Sequence, residues 1–319
     1  MDNRELTFDV LRILACFGVI TIHTAGSFIY HGLVSLGSSD YVMCVIMGAL
    51  VRWSVPIFVM LTGYFMLRPE KQLPLRKLYG WNVPHLVVAQ VFWTCFYAVT
   101  LHWQWYPWGG QDSHFWYIGM CIGLYISMPA LRMIAADAKL LSYSCWVWLL
   151  IRFYYFVGRF VTVPIVFTDF VFTDYVGYCL WGYYISQVNM KSLHKQIVYA
   201  LGIVGVLTNI IVPLVSPVSI TAYETPNVIL TSIALFLFVI EHPLRFSSTV
   251  SKWIAQISRL TLGIYMVHMF VLVELFSRLY RFVQQPVLLT VLCVSLVFAG
   301  SAVMIWIIKK IPFVGKWVA

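Results

Sequence analysis

Long apolar runs separated by short polar connections constrain this chain more than any other feature. A membrane-spanning helix needs about 20 apolar residues, and about ten such segments recur along the sequence. They run near 8–29, 41–67, 79–103, 115–135, 142–163, 175–190, 196–216, 226–241, 261–282 and 286–308. The sixth and eighth are short, so two could merge or one could be re-entrant. Of the 319 residues, 61% are hydrophobic and 10% are charged, against about 25% charged in soluble proteins. A water-soluble fold of this length has more surface than so few polar residues can cover. In lipid, that demand disappears, and helices satisfy their own backbone groups. The expected fold is all-α: a polytopic transmembrane bundle of about ten helices forming one integral-membrane domain over residues 1–319. The first run is interrupted by Arg12 and His23 and lacks a small-x-small cleavage site, so it reads as a retained helix rather than a signal peptide.

The formal net charge is +9. The basic residues sit in short connections, not in a stripe with interleaved aromatics, so they speak for membrane orientation and against nucleic-acid binding. With an even number of spans, both termini share one side with Arg4, Arg12, the Arg68–Lys77 loop, Arg132, Lys139, Lys191, Lys195, Arg245, Lys252, Arg259, Lys309, Lys310 and Lys316. The other side holds only Arg159, Arg278 and Arg281, while Arg52 and Arg152 fall within spans. The bias places both termini in the cytoplasm. A single cysteine placed in the Arg68–Lys77 loop of a cysteine-free variant should therefore resist an impermeant thiol reagent in intact cells, whereas one in the Gln104–His114 loop should react. The opposite pattern would reverse the orientation. That outer loop is aromatic, and Trp105 and Trp108 suit either an interfacial belt or stacking against a sugar.

Seven cysteines lie in or beside apolar runs without a C-x-x-C pair, which argues for packing and against a metal site. No internal repeat, low-complexity stretch or long linker interrupts the pattern.

Asp9, Arg12 and His23 carry the chemical information. Charged groups inside a span are costly and usually face a cavity or partner. Arg12 and His23 are 11 residues apart, which returns them to one helix face about 20° apart and about 16 Å along the axis. Asp9, one turn before Arg12, can pair with it. Ala15, Cys16 and Val19 lie between them, with Gly26 beyond, so a narrow groove is expected along this face. An arginine fork at the inner end suits phosphate oxygens. A histidine deeper in the bilayer is kept neutral by desolvation and can take a proton from a hydroxyl. The plainer reading of the same residues is an interfacial ion pair and a packed polar histidine.

Together with later motifs, this helix resembles the acyltransferase-3 family of bacterial membrane acyltransferases. The likeness rests on Asp9-x-Leu11-Arg12-x-x-Ala15 with His23, and on Val55-Pro56-Ile57-Phe58 with Thr62-Gly63-Tyr64, where threonine replaces the usual serine. His114-Phe115-Trp116-Tyr117 through Tyr125 and Pro129, then Ser258-x-x-Thr261-x-Gly263-Ile264-Tyr265-x-x-His268, follow in family order. The resemblance implies a cytoplasmic acyl-CoA donor, usually acetyl-CoA as co-substrate with no bound cofactor. It also implies a glycan hydroxyl as extracytoplasmic acceptor, and activity tied to the arginine and histidine of the first helix. With the chain ending at Ala319, soon after the last helix, it is similar to stand-alone members that acetylate surface polysaccharides in the bacterial inner membrane.

Other candidates are less specific. Arg68 and Lys71 suit CoA phosphates or simply set topology. Arg52 lies inside the second span and needs a partner or water, and an ion pair is expected in preference to lipid exposure. Trp116 and Tyr117 open the fourth span and serve either as belt or packing residues or as acceptor contacts. His268 suits either a hydrogen-bonded core or a substrate contact. Cys16 is a possible acyl carrier. Neither oligomeric state nor any role for residues of about 140–250 emerges from the sequence. The alternatives to a membrane O-acetyltransferase are a secondary transporter, for which inverted repeats are missing, and a non-catalytic membrane partner.

Overall fold

The computed structural model describes residues 3–102, 114–161, 175–216, 220–312 and 314–318, and all regular structure among them is helical. The helices are α1 (Asn3–Tyr30), α2 (Ser39–Leu50), α3 (Ser54–Met66), α4 (Leu75–Lys77), α5 (Val83–Thr100), α6 (Trp116–Ala136), α7 (Ala138–Val157), α8 (Val176–Gln187), α9 (Ser192–Val215), α10 (Pro226–Glu241), α11 (Ser248–Ser258), α12 (Thr261–Tyr280), α13 (Pro286–Ile308) and α14 (Val314–Val318). Among the described residues, eight segments are long and apolar enough to cross a membrane. The two short expected segments are α8 and α10, of 12 and 16 residues. The aromatic loop with Trp105 and Trp108 lies outside the described residues.

Element boundaries follow local chemistry. The second span is not one continuous helix: it breaks at residues 51–53, between α2 and α3. Pro56 has no N–H for the Arg52 carbonyl four residues back, and its ring crowds that carbonyl. The Ser54 hydroxyl instead donates to the Val51 carbonyl at 2.5 Å. The seventh helix starts at Ala138, four residues before the expected 142, because the Asp137 carboxylate caps it, accepting from Lys139 N at 2.8 Å and Leu140 N at 3.0 Å. Those backbone donors hold the Asp137 carboxyl below its usual range.

The described chain forms two compact units: Met1–Lys71 with Ala130–Phe246, and Gln72–Pro129 with Ser247–Ala319. In the first, α8 is buried nearly all round, packing on α3, α7 and α10. A helix apolar on every side belongs in a core. Close approach there requires glycine. A Cβ on Gly63 of α3 would lie 1.8 Å from the Cys179 carbonyl oxygen, and one on Gly182 of α8 would lie 2.1 Å from that of Met60. Small residues let membrane helices pack backbone to backbone.

Buried inside protein, α8 and α10 need not match the bilayer thickness, provided that their end groups find partners. At the start of α10 they do. The Thr225 hydroxyl donates to the Ile220 carbonyl at 2.9 Å, and Asn227 Nδ2 donates to Asn209 Oδ1 at 2.6 Å and to the Ile220 carbonyl at 2.9 Å. Ile220 and Thr225 are buried, and residues 221–224 between them are half-buried.

In the second unit, α13 packs on α12, and α14 packs on α5, where Trp93 Nε1 donates to the Val318 carbonyl at 2.8 Å. The Tyr97 hydroxyl is inserted into the ladder of α12. It donates to the Met266 carbonyl at 3.0 Å and accepts from Phe270 N at 2.9 Å, the pair that an undisturbed helix would join directly.

Candidate functional site

Both candidate residues of the first helix lie on α1, which runs unbroken from Asn3 to Tyr30, so their predicted alignment on one face holds. In the N-terminal half of α1, Arg12 Nη1 donates to Asp9 Oδ1 at 2.8 Å. The Arg12 guanidinium also lies 4.8 Å from the centre of the Phe65 ring. Next to it in sequence, the Tyr64 ring carries the Arg68 guanidinium at 4.1 Å, and the Tyr64 and Phe65 rings are 5.0 Å apart. Two cations thus converge on two adjoining aromatic faces at the end of α3. Beside them is a cavity of about 260 Å³ lined by Tyr64, Arg68, Glu70, Ser186 and Gln187. Lys71 is exposed and does not line it.

Sequence reasoning missed what shapes this end. Arg132 donates to the carbonyls of Met66 at 2.6 Å, Pro69 at 3.3 Å and Lys71 at 2.6 Å, fastening the loop that carries Arg68. A lone arginine at the end of an apolar helix looks like a topology signal, and only the fold shows that it caps carbonyls.

His23 sits in the C-terminal third of α1 and is partly buried. The surprise is Arg52, which lies within electrostatic reach of it. The break caused by Pro56 releases Arg52 from a continuous helix. Its Nε donates to the Thr221 carbonyl at 2.5 Å, and its guanidinium stands 5.0 Å from the centre of the Tyr223 ring. The expected ion pair is therefore replaced by a carbonyl and an aromatic face, both from the half-buried residues just before α10. Burial pushes the Tyr223 phenol above its usual range, only partly offset by the Arg52 charge, so it remains a neutral hydroxyl. The Tyr178 hydroxyl donates to the Tyr223 carbonyl and lies within electrostatic reach of Arg152 and Glu224. Arg152, which had no role in the sequence reading, is buried with its guanidinium 5.7 Å from the Trp148 ring centre and 5.9 Å from that of Tyr155. Glu224 in turn pairs with Arg159 at 3.4 Å.

The face between Arg12 and His23 is packed rather than grooved. Ala15, Cys16 and Val19 are 0%, 2% and 3% exposed, and Gly18 is pressed against Ser54. The expected groove is filled because small residues let α2 and α3 close onto α1.

Trp116, Tyr117 and His268 belong to the second unit. The Tyr117 ring packs 4.9 Å from that of Tyr265, and the Trp116 ring lies 6.1 Å from that of Tyr117. The Tyr265 hydroxyl donates to the His114 carbonyl at 2.5 Å. His268 is 1% exposed, with Nδ1 2.6 Å from the Tyr265 carbonyl and its ring 5.1 Å from that of His114. These residues form a hydrogen-bonded aromatic core. Among the described residues, no group of three or more His, Cys, Asp or Glu side chains could hold a metal ion.

One end of the bundle thus holds two cations on aromatic faces, and further along α1 a histidine lies within electrostatic reach of Arg52. The sequence matches an acyltransferase domain over residues 5–306, and the chain belongs to the acyltransferase-3 family. It is a multi-pass membrane acyltransferase. No curated protein matches the chain, and no solved structure does.

Proposed function

We propose that this acyltransferase moves an acetyl group from cytoplasmic acetyl-CoA to a hydroxyl of a cell-surface or lipid-linked glycan, and that it works in the bacterial inner membrane. The carrying observation is the division of labour along α1, with Arg12 on the aromatic faces at its basic end and His23 about 16 Å further along beside Arg52. Arg12 and Arg68 hold the phosphate-bearing part of CoA, and the packed face between Arg12 and His23 has to part to admit the pantetheine arm. The His23 imidazole takes the proton of the acceptor hydroxyl, whose oxygen attacks the thioester carbonyl. Arg52 stabilises the oxyanion that forms. The carbon–sulfur bond then breaks, and the CoA thiolate recovers the proton from the imidazolium.

The acceptor class is tested by NMR of surface glycan from cells that produce or lack the chain. Acetyl ester signals should vanish on deletion and return on complementation, and identical spectra would refute a glycan acceptor. The donor role of Arg12 has its own test. Lysine keeps the charge but loses the planar fork that pairs with Asp9 and stacks on Phe65. Arg12→Lys should raise the KM for acetyl-CoA about ten- to hundredfold, the range of one charge-assisted hydrogen-bonded contact. An unchanged KM would leave Arg12 as an interfacial ion pair.

A further inference from the structure

An apolar cleft of about 640 Å³ lies in the first unit among α7, α8, α9 and α10, and the acyl-transfer scheme makes no use of it. Its floor is Leu149, Trp181 and Ile233, all buried, while Leu150, Phe153 and Leu201 on its rim are exposed. One end is marked by Val188, Met190 and His194, beside the connection that the charge bias assigns to the cytoplasm. From His194 to Leu201 the wall rises about 10 Å along α9, a depth that fits within one leaflet of about 15 Å. Two lysines adjoin this end in sequence without lining the cleft, Lys191 next to Met190 and Lys195 next to His194. Lys195 is neutralised by Glu241, whereas Lys191, the residue preceding α9, is exposed and has no acidic partner among the described residues.

We infer that this cleft holds one acyl chain of an anionic phospholipid from the cytoplasmic leaflet, with the lipid phosphate at Lys191. The apolar walls take the chain, which at this depth has no water to displace, and the lysine selects the headgroup.

Native mass spectrometry of the detergent-purified chain, titrated with phosphatidylglycerol and with phosphatidylethanolamine of the same chains, tests this. The wild type should retain one phosphatidylglycerol per chain, about fivefold in preference to the zwitterionic lipid, as one lysine near a membrane surface provides. Val198→Trp places a ring in the cleft and should lower retention of both lipids about tenfold or more. Lys191→Glu, at an exposed position that does not threaten folding, should keep chain uptake and abolish the preference. Equal retention of both lipids by the wild type, an unchanged preference in Lys191→Glu, or undiminished binding in a folded Val198→Trp would each overturn the inference. So would a dimer that Val198→Trp dissociates, since the occupant would then be a second copy of the chain.

Discussion

Glutamine in place of His23 is expected to reduce acyl transfer by about 10²–10⁴-fold, the contribution of a positioned general base. The side chain keeps polarity and similar size but cannot accept the hydroxyl proton. Local structure should survive, because the bond from the Ser27 hydroxyl to residue 23, at 2.8 Å, uses the backbone carbonyl. Neither the Arg12–Asp9 pair nor the break at Arg52 involves the imidazole. The membrane level of the variant should therefore match the wild type, with the loss falling on kcat and the KM for acetyl-CoA little changed. Rates compared at matched protein level decide the matter. A glutamine variant that turns over normally would make His23 a packed polar residue.

Alanine at Gly63 should be as severe, through a different route. The added Cβ would meet three backbone atoms of Cys179, its carbonyl oxygen at 1.8 Å, its carbonyl carbon at 2.6 Å and its Cα at 2.9 Å. No side-chain rotamer relieves a clash with backbone, so α3 and α8 must separate. Overpacking of this kind costs about 1–3 kcal/mol or more, and α8 is the core of its unit. The variant should be lost from the membrane or elute as aggregate on size-exclusion chromatography. Gly48→Ala is the control, because its Cβ meets nothing within 4 Å and alanine favours a helix by about 1 kcal/mol. A Gly63→Ala protein as monodisperse and heat-stable as wild type would refute the backbone contact.

Much of this architecture was legible because lipid imposes a rule that short windows of sequence can show. Each expected segment is helical, the second of them as two helices, and the two short ones are α8 and α10. The alignment of Arg12 with His23 needed only the helical period. Pro56 was visible as a motif residue, yet its physical role, breaking the second span so that Arg52 is freed, required the fold. The partners of Arg52 were beyond sequence reasoning: Thr221 is 169 residues away, next to Ile220, whose carbonyl accepts from Asn227. The same holds for Arg132, Arg152 and Tyr178, whose contacts are long-range or lie in the motif-poor stretch. That stretch supplies α7 to α10, four helices of the unit that carries His23. A helix buried on every side shows no polar stripe, so α8 gave no periodic signal of its central position.

Acyl-CoA turnover by the purified chain tests the central claim most directly. The protein would be reconstituted in vesicles with acetyl-labelled acetyl-CoA and a glycan fraction from cells lacking the chain. Wild type should release free CoA thiol and place the label on glycan in equal amounts, and His23→Gln should do neither beyond background. A folded wild type that releases no CoA and leaves the glycan unlabelled, with every acyl-CoA and glycan fraction tried, would contradict the account.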